Sequence, residues 1–313
     1  MAAFASCKKT NPNYQQEAAN PKFLERAENM LTESIIHDIF APPVSSRIYM
    51  YASVAGYEGA IHADKRFRSF VGQLNGFEKV AQPEAGLEYC YPLVSTRAFL
   101  SVGKKLTFAQ ELYVEFDKQI EADFRKTGMP DEVYERSVAL GDSIAASVMR
   151  WAAKDNYKQT RGFRFTVTNL PGTWTPTPPA YMDAVEPYWT KVRPVALDSS
   201  SQFRAPVPAK FDLTKGSPYY KEVMDSYETV KNLTNDQRDI ANFWDCNPFK
   251  MNITGHAMFA TKKMSPGGHW LGIVAQISRQ YKKGYTETAE ALALTSIAIF
   301  DGFISCWDEK YRS

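Results

Sequence analysis

The sequence has little that would announce a metal, redox or nucleic-acid function. Four cysteines, Cys7, Cys90, Cys246 and Cys306, stand far apart, with no CxxC pair and no metal-knuckle spacing. Neither a disulfide framework nor a zinc ribbon is indicated. The four histidines, His37, His62, His256 and His269, form no HExxH and no close His/Cys/carboxylate cluster, so a zinc or iron held directly by protein ligands has little support. Charge of one sign is also missing. Lys and Arg number 37 against 35 Asp and Glu, a formal net charge of +2, too even for a polyelectrolyte binder with a basic footprint. The most apolar stretch, Ala289 to Trp307, contains Asp301 and falls short of the ~20 uninterrupted apolar residues of a membrane span. Walker, GxGxxG and GxSxG motifs are absent, as is any repeat of solenoid period.

What is present is a chain of 313 residues with 44% hydrophobic and 13% aromatic content, enough to bury a sizeable core and to exclude global disorder. Helical periodicity dominates it. Leu24, Ala27, Leu31, Ile35 and Ile39 recur at three- and four-residue steps and predict a helix ending before Pro42-Pro43. Ser45 to Ala63 reads as a second. Phe108, Leu112, Phe116, Ile120 and Phe124 predict a third, reaching about Lys126, with Gly128 and Pro130 closing it. Asp131 opens a fourth through Trp151.

The middle of the chain is different. Nine of the eighteen prolines lie between Pro171 and Pro218, and a residue that lacks the backbone donor and restricts its predecessor makes this irregular, extended chain. Its aromatics, Trp174, Tyr181, Tyr188, Trp189 and Phe203, predict a segment packed over the bundle. Helix resumes with Ser217 as cap and Pro218 in the first turn. Thr234 and Gln237 fit a capping box opening a helix through Trp244. Another helix is expected from about His269 to Tyr281, and a last one from Thr286 to about Lys310, apolar nearly all round and so expected inside the bundle. No convincing strand is found, and the fold class is all-α. Thr254-Gly255-His256 and Pro266-Gly267-Gly268-His269 read as structural turns, His269 capping or packing at a helix start.

At the start of the chain, small residues precede Cys7, and Lys8-Lys9 begin a polar stretch to Asn20. This is similar to the cleavage region of a bacterial lipoprotein signal without its basic start and apolar stretch. On that reading Cys7 is lipidated and residues 1–20 are a residual signal and tether. The protein is then an exported periplasmic or outer-membrane lipoprotein of a bacterium, touching the membrane only through that anchor. The other reading is a ragged terminus with a chance cysteine.

Several blocks, taken in order, resemble the vanadium-dependent haloperoxidases, which share a superfamily with type 2 phosphatidic acid phosphatases. They are Ala41-Pro42-Pro43-Val44-Ser45-Ser46-Arg47-Ile48-Tyr49 with Tyr57-Glu58-Gly59-Ala60, the Pro171–Pro179 run with Tyr188-Trp189 and Arg193-Pro194, Ile240-Ala241-Asn242-Phe243-Trp244, Gly268-His269-Trp270, and Ile299 to Tyr311. The resemblance implies a helical bundle with a proline-rich excursion over 170–218, the N-terminal part of that fold, in a domain of residues 21–313. It also implies that Lys310 is the first anion-binding lysine for vanadate or phosphate. The Arg-Pro that follows such a lysine in the family, the Ser-Gly-His loop and the Arg-plus-His motif do not occur in the sequence. The site is therefore expected to be incomplete, with the C-terminal catalytic half absent, no cofactor bound by this chain, and vanadate expected for the complete family member.

Taken by its own position, Lys310 is also simply a cation in the last turn of a helix, where it complements the macrodipole. Trp307, three residues earlier, shares its face and either walls the anion pocket or is an ordinary core tryptophan. The resemblance places an aspartate three residues past the Phe-Trp signpost, where Asn247 stands, so Asp245 is the substitute candidate for a supporting role. Halide and peroxide, or a phosphate ester, are the partners the resemblance implies, with a homodimer as a candidate assembly and no nucleic acid. The competing function is a surface lipoprotein that uses the helical scaffold as a binding module, the Pro171–Pro218 aromatics being its contact surface.

Overall fold

The computed structural model describes residues 10–178 and 180–312. Cys7 and its proposed lipidation lie outside them. The chain is built from eleven helices and one hairpin among the described residues: α1 (Tyr14–Ala18), α2 (Lys22–Asp38), α3 (Pro42–Ala60), α4 (Tyr91–Leu106), α5 (Gln110–Lys126), α6 (Asp131–Ala152), α7 (Tyr157–Thr160), α8 (Pro218–Lys231), α9 (Asn235–Trp244), β1 (Phe249–Thr254), β2 (Ala257–Lys262), α10 (Pro266–Gln280) and α11 (Tyr285–Arg312).

Helix α3 is the axis of the bundle. Every residue from Pro43 to Ala60 is buried. Its helix begins at Pro42 and gives way to a 3₁₀ turn at Ile61, three residues earlier at each end than the spacing predicts, because Pro42 and Pro43 fill the first turn, where no backbone donor is needed. Helices α4, α6, α10 and α11 pack around it. Small residues allow this. A Cβ on Gly59 would fall 2.7 Å from Ser95 Cα, so α3 and α4 meet backbone to backbone there, and Ser95 Oγ donates to Gly56 O at 2.6 Å.

The predicted apolar stripes are found on α2 and α6, and in part on α5. Leu24, Ala27, Leu31 and Ile35 are buried, and the helix stops at Ile39 in a left-handed cap. On α5 only Ile120 and Phe124 of the five spaced residues are buried, while Phe108 precedes the helix and is exposed. Two predicted caps are present in full. Ser217 Oγ accepts from Tyr220 N, and Thr234 and Gln237 form the reciprocal capping box of α9.

Three expectations are corrected. The chain does contain strands: β1 and β2 pair antiparallel from Phe249↔Lys262 to Thr254↔Ala257 around the two-residue loop Gly255-His256. Alternating side chains and a glycine-first loop favour such a hairpin. Second, Gly267-Gly268 lie in the first turn of α10. A Cβ there would meet the Tyr49 ring at 2.8 Å and its hydroxyl at 2.7 Å, so they permit close approach to α3. Third, α11 is not surrounded. One face is buried and the other is not.

Among the described residues, the proline-rich excursion up to the start of α8 has no regular structure beyond a 3₁₀ turn at Trp189–Lys191. Trp189, Val192 and Val195 are buried against the bundle, whereas Trp174, Tyr181 and Phe203 are exposed. From its second half onward, no residue from Ala196 to Met264 is buried. This stretch, carrying α8, α9 and the hairpin, is an arm on the bundle rather than part of its core.

Candidate functional site

Helix α11 places the candidate anion-binding residues. Ala289, Leu292, Ala293, Ser296, Ile297, Phe300, Ile304 and Trp307 recur at three- and four-residue steps and face the bundle. Leu294, Ala298, Gly302, Cys306 and Lys310 recur at four-residue steps along an exposed stripe beside that face. Two parts of the chain, at Phe165 and at Val185, wrap the end of the helix. Trp307 Nε1 and Tyr311 Oη both donate to Val185 O at 2.9 Å, and the Tyr311 ring meets Phe165 edge to face.

Lys310 is exposed, with its Nζ 4.6 Å from the centroid of the Trp307 ring. This cation–π contact is the partner of the ammonium among the described residues. Trp307 is itself only 7% exposed and edge-on to Phe303, so its indole is at once a core side chain and the floor beneath the Lys310 ammonium. The next cation along, Arg312, is engaged with Asp308 and Glu309 on its own helix. Asp245 is elsewhere. It ends α9, accepts from Lys263 Nζ at 2.6 Å and from Asn247 Nδ2 at 2.6 Å, and no hydrogen bond or ion pair joins it to Lys310 or Trp307. Lys263 holds its carboxyl below the usual carboxylate range. These contacts join the two ends of the segment that carries the β1–β2 hairpin.

Two polar groups that the sequence reading passed over tie the excursion to the bundle. Asp301 is buried on α11, where its Oδ1 accepts from Val195 N at 2.8 Å and its Oδ2 from Ala196 N and Leu197 N at 2.7 and 2.8 Å. A lone carboxylate within an apolar helix is the signal that could have found it, since a buried charge must be met by directed donors. The other group is centred on Asp155, whose Oδ2 accepts from Arg47 Nε at 2.6 Å and from Tyr51 Oη at 3.0 Å. Arg193, from the excursion, donates to Tyr51 Oη at 3.2 Å and its backbone N–H to Asp155 O at 2.8 Å. Arg47 and Arg193 both fall in blocks that carry the family resemblance, and here they join α3, the end of α6 and the excursion.

A cavity of about 550 Å³ lies at the other end of this helix, lined by His62, Arg66, Tyr91, Tyr285 and Glu287. Burial lowers the pKa of His62. Tyr285 and Lys310 are 25 residues apart on one helix, roughly 38 Å at ~1.5 Å per residue, so this cavity lies far from Lys310. Among the described residues, no group of three or more His, Cys, Asp or Glu side chains could hold a metal ion.

No protein-family model and no curated protein matches the chain. Among solved structures, that of a protein described as the first bacterial vanadium-dependent iodoperoxidase matches with a TM-score of 0.86 and 36% sequence identity, over 97% of this chain and 71% of that one. That degree of identity and of structural likeness over nearly the whole chain places this protein in the vanadium haloperoxidase family, within the superfamily that includes the type 2 phosphatidic acid phosphatases.

Proposed function

We propose that the chain is the N-terminal helical portion of a haloperoxidase whose reaction is the peroxide-dependent oxidation of halide, with the anion held at the C-terminal end of α11. The iodoperoxidase activity for which the related protein is named favours halide oxidation over ester hydrolysis. The observation that carries the reading is the pairing of Lys310 with Trp307 at the wrapped end of that helix.

Vanadate, the group that the family implies, is a tetrahedral oxyanion. Holding several negative oxygens takes more than one cation, together with directed N–H donors. The described residues offer the Lys310 ammonium, while Arg312 is engaged with carboxylates. That set does not fit the group by itself. The exposed stripe from Leu294 to Cys306, with open space beside Gly302, supports further chain packing there and bringing the remaining donors.

Calorimetric titration of this chain with orthovanadate tests the proposal. Binding is expected no tighter than millimolar, about −4 kcal/mol, and Lys310→Ala is expected to remove it. Tight stoichiometric binding would sink the incomplete-site reading. An unchanged titration in the Ala variant would remove Lys310 from the site.

A further inference from the structure

Cys246 and His269 are 23 residues apart in sequence, yet Cys246 Sγ lies 3.0 Å from His269 Nδ1. The thiol is partly exposed, in the turn between α9 and β1, and the imidazole sits in the first turn of α10. The ring is held in place. Trp244 stacks on it at 5.1 Å with an interplanar angle of 22°, and Phe243 meets it edge to face at 5.1 Å. A nucleophile beside a base, with the base oriented by a third group, is the arrangement from which side-chain nucleophiles draw their reactivity.

We propose that Cys246 is a modification site: a base-assisted thiol that a hydroperoxide converts to a sulfenic acid, with His269 Nδ1 as the proton acceptor. Burial first, and then the neighbouring Asp245 carboxylate, push the Cys246 thiol up, so at neutral pH it rests as S–H and needs a base to react. His269 supplies that base when its neutral ring carries the hydrogen on Nε2 and leaves Nδ1 free to accept. In the step, the S–H proton passes to Nδ1 and sulfur forms a bond to one peroxide oxygen. The O–O bond breaks, and the departing oxygen takes up a proton and leaves as water or an alcohol. Sulfur is oxidised and the peroxide reduced, so RSH + HOOH gives RSOH + H2O.

The other two described thiols are built-in controls. Cys90 is buried, with its thiol pushed up to about 12, and cannot meet the oxidant. Cys306 is more exposed than Cys246, but lies on the open face of α11 with no imidazole beside it. Access alone would make Cys306 the faster site, and base assistance would make Cys246 the faster.

The experiment treats the intact chain with hydrogen peroxide in the presence of a 1,3-dione that traps sulfenic acids, and reads each cysteine by peptide mass spectrometry. Cys246 is expected to be labelled at least ~10-fold faster than Cys306, a modest share of what a positioned base can contribute. His269→Gln should bring it down to the Cys306 rate. The comparison of two thiols within the wild-type chain needs no variant, and far-UV circular dichroism checks that the Gln variant is folded. Labelling of Cys246 no faster than Cys306, or a rate unchanged in His269→Gln, overturns the proposal. Neither outcome depends on the anion site at Lys310.

Discussion

Glu28, on α2, is a carboxyl group inside the bundle, and its ionisation is coupled to folding. Its Oε1 accepts from Thr32 Oγ1 at 2.9 Å, and that hydroxyl lies 2.7 Å from Tyr49 Oη. One turn earlier, Glu25 Oε2 accepts from Arg279 Nη1 at 2.6 Å. Burial pushes Glu28 up to about 7, the Thr32 bond opposing and the Glu25 charge adding to it. A carboxyl whose pKa is higher folded than unfolded favours the fold while it is protonated. Its contribution is complete below pH ~4.5 and is lost as pH rises through about 7. The shift corresponds to roughly 3 kcal/mol at ~1.4 kcal/mol per unit. Glu28→Gln keeps the acceptor for Thr32 and removes the ionisation. Urea denaturation at pH 5 and pH 8 should show the wild type losing stability across that interval and the variant losing much less. Parallel curves for the two proteins would mean that Glu28 does not titrate there.

Elements differ in how openly the sequence declares them. Helices α2 and α6 carry apolar stripes with polar opposite faces, and α8 and α9 carry cap residues whose hydrogen bonds are local. These could be read without tertiary information. Helix α4 could not. Ser95, Thr96 and Gly103 lie on its buried side, against α3, α11 and α2 respectively, so the small and polar residues that let it approach three neighbours are not the apolar ones a stripe is read from. The hairpin was hidden for the opposite reason: none of its residues is buried, so no core face marks the strands. Of the candidate site, Lys310 and Trp307 are neighbours by helical spacing alone, whereas Asp245 was placed by analogy and its partner Lys263 could be found only in three dimensions. The α3–α4 contact gives the test at this scale. In Gly59→Ala the new methyl would press on Ser95 backbone atoms at 2.7 and 2.8 Å, which rotamer adjustment cannot relieve. Overpacking of this kind costs about 1–3 kcal/mol, and a lowered melting temperature with native-like circular dichroism is expected. Thr234→Ala, by contrast, removes one side of the α9 capping box, worth about 1 kcal/mol to that helix, and should leave the melting temperature of the bundle unchanged. A full kilocalorie of global destabilisation from Thr234→Ala would show that α9 is part of the cooperative core.

The molecule as a whole is a bundle with an arm, and the two should differ in stability. Around α3, hydrogen bonds are made in a dry core and opening them exposes many apolar side chains. Over 196–264 no residue is buried, and Val223, Tyr227 and Val230 on α8 and Ile240, Phe243 and Trp244 on α9 stand in water. Isolated helices of 14 and 10 residues are marginal in water, and so is a lone two-stranded hairpin. The arm is nevertheless anchored at both ends. Asp301 grips the backbone of Val195 to Leu197, while Lys262 Nζ donates to His37 O at 2.5 Å and Trp244 stacks on His269 of α10. Local opening of the arm is therefore expected well below the global unfolding free energy. In hydrogen exchange followed by mass spectrometry, amides of α8 should exchange orders of magnitude faster than those of α3, α4 and α6. Brief proteolysis should cut first within the arm, at its exposed middle rather than at its clamped ends. Because α3 packs with both α4 and α11, the two resulting fragments should stay associated on a sizing column. Protection of α8 equal to that of α3 would mean that something covers the arm in solution, and the division into bundle and arm would fail.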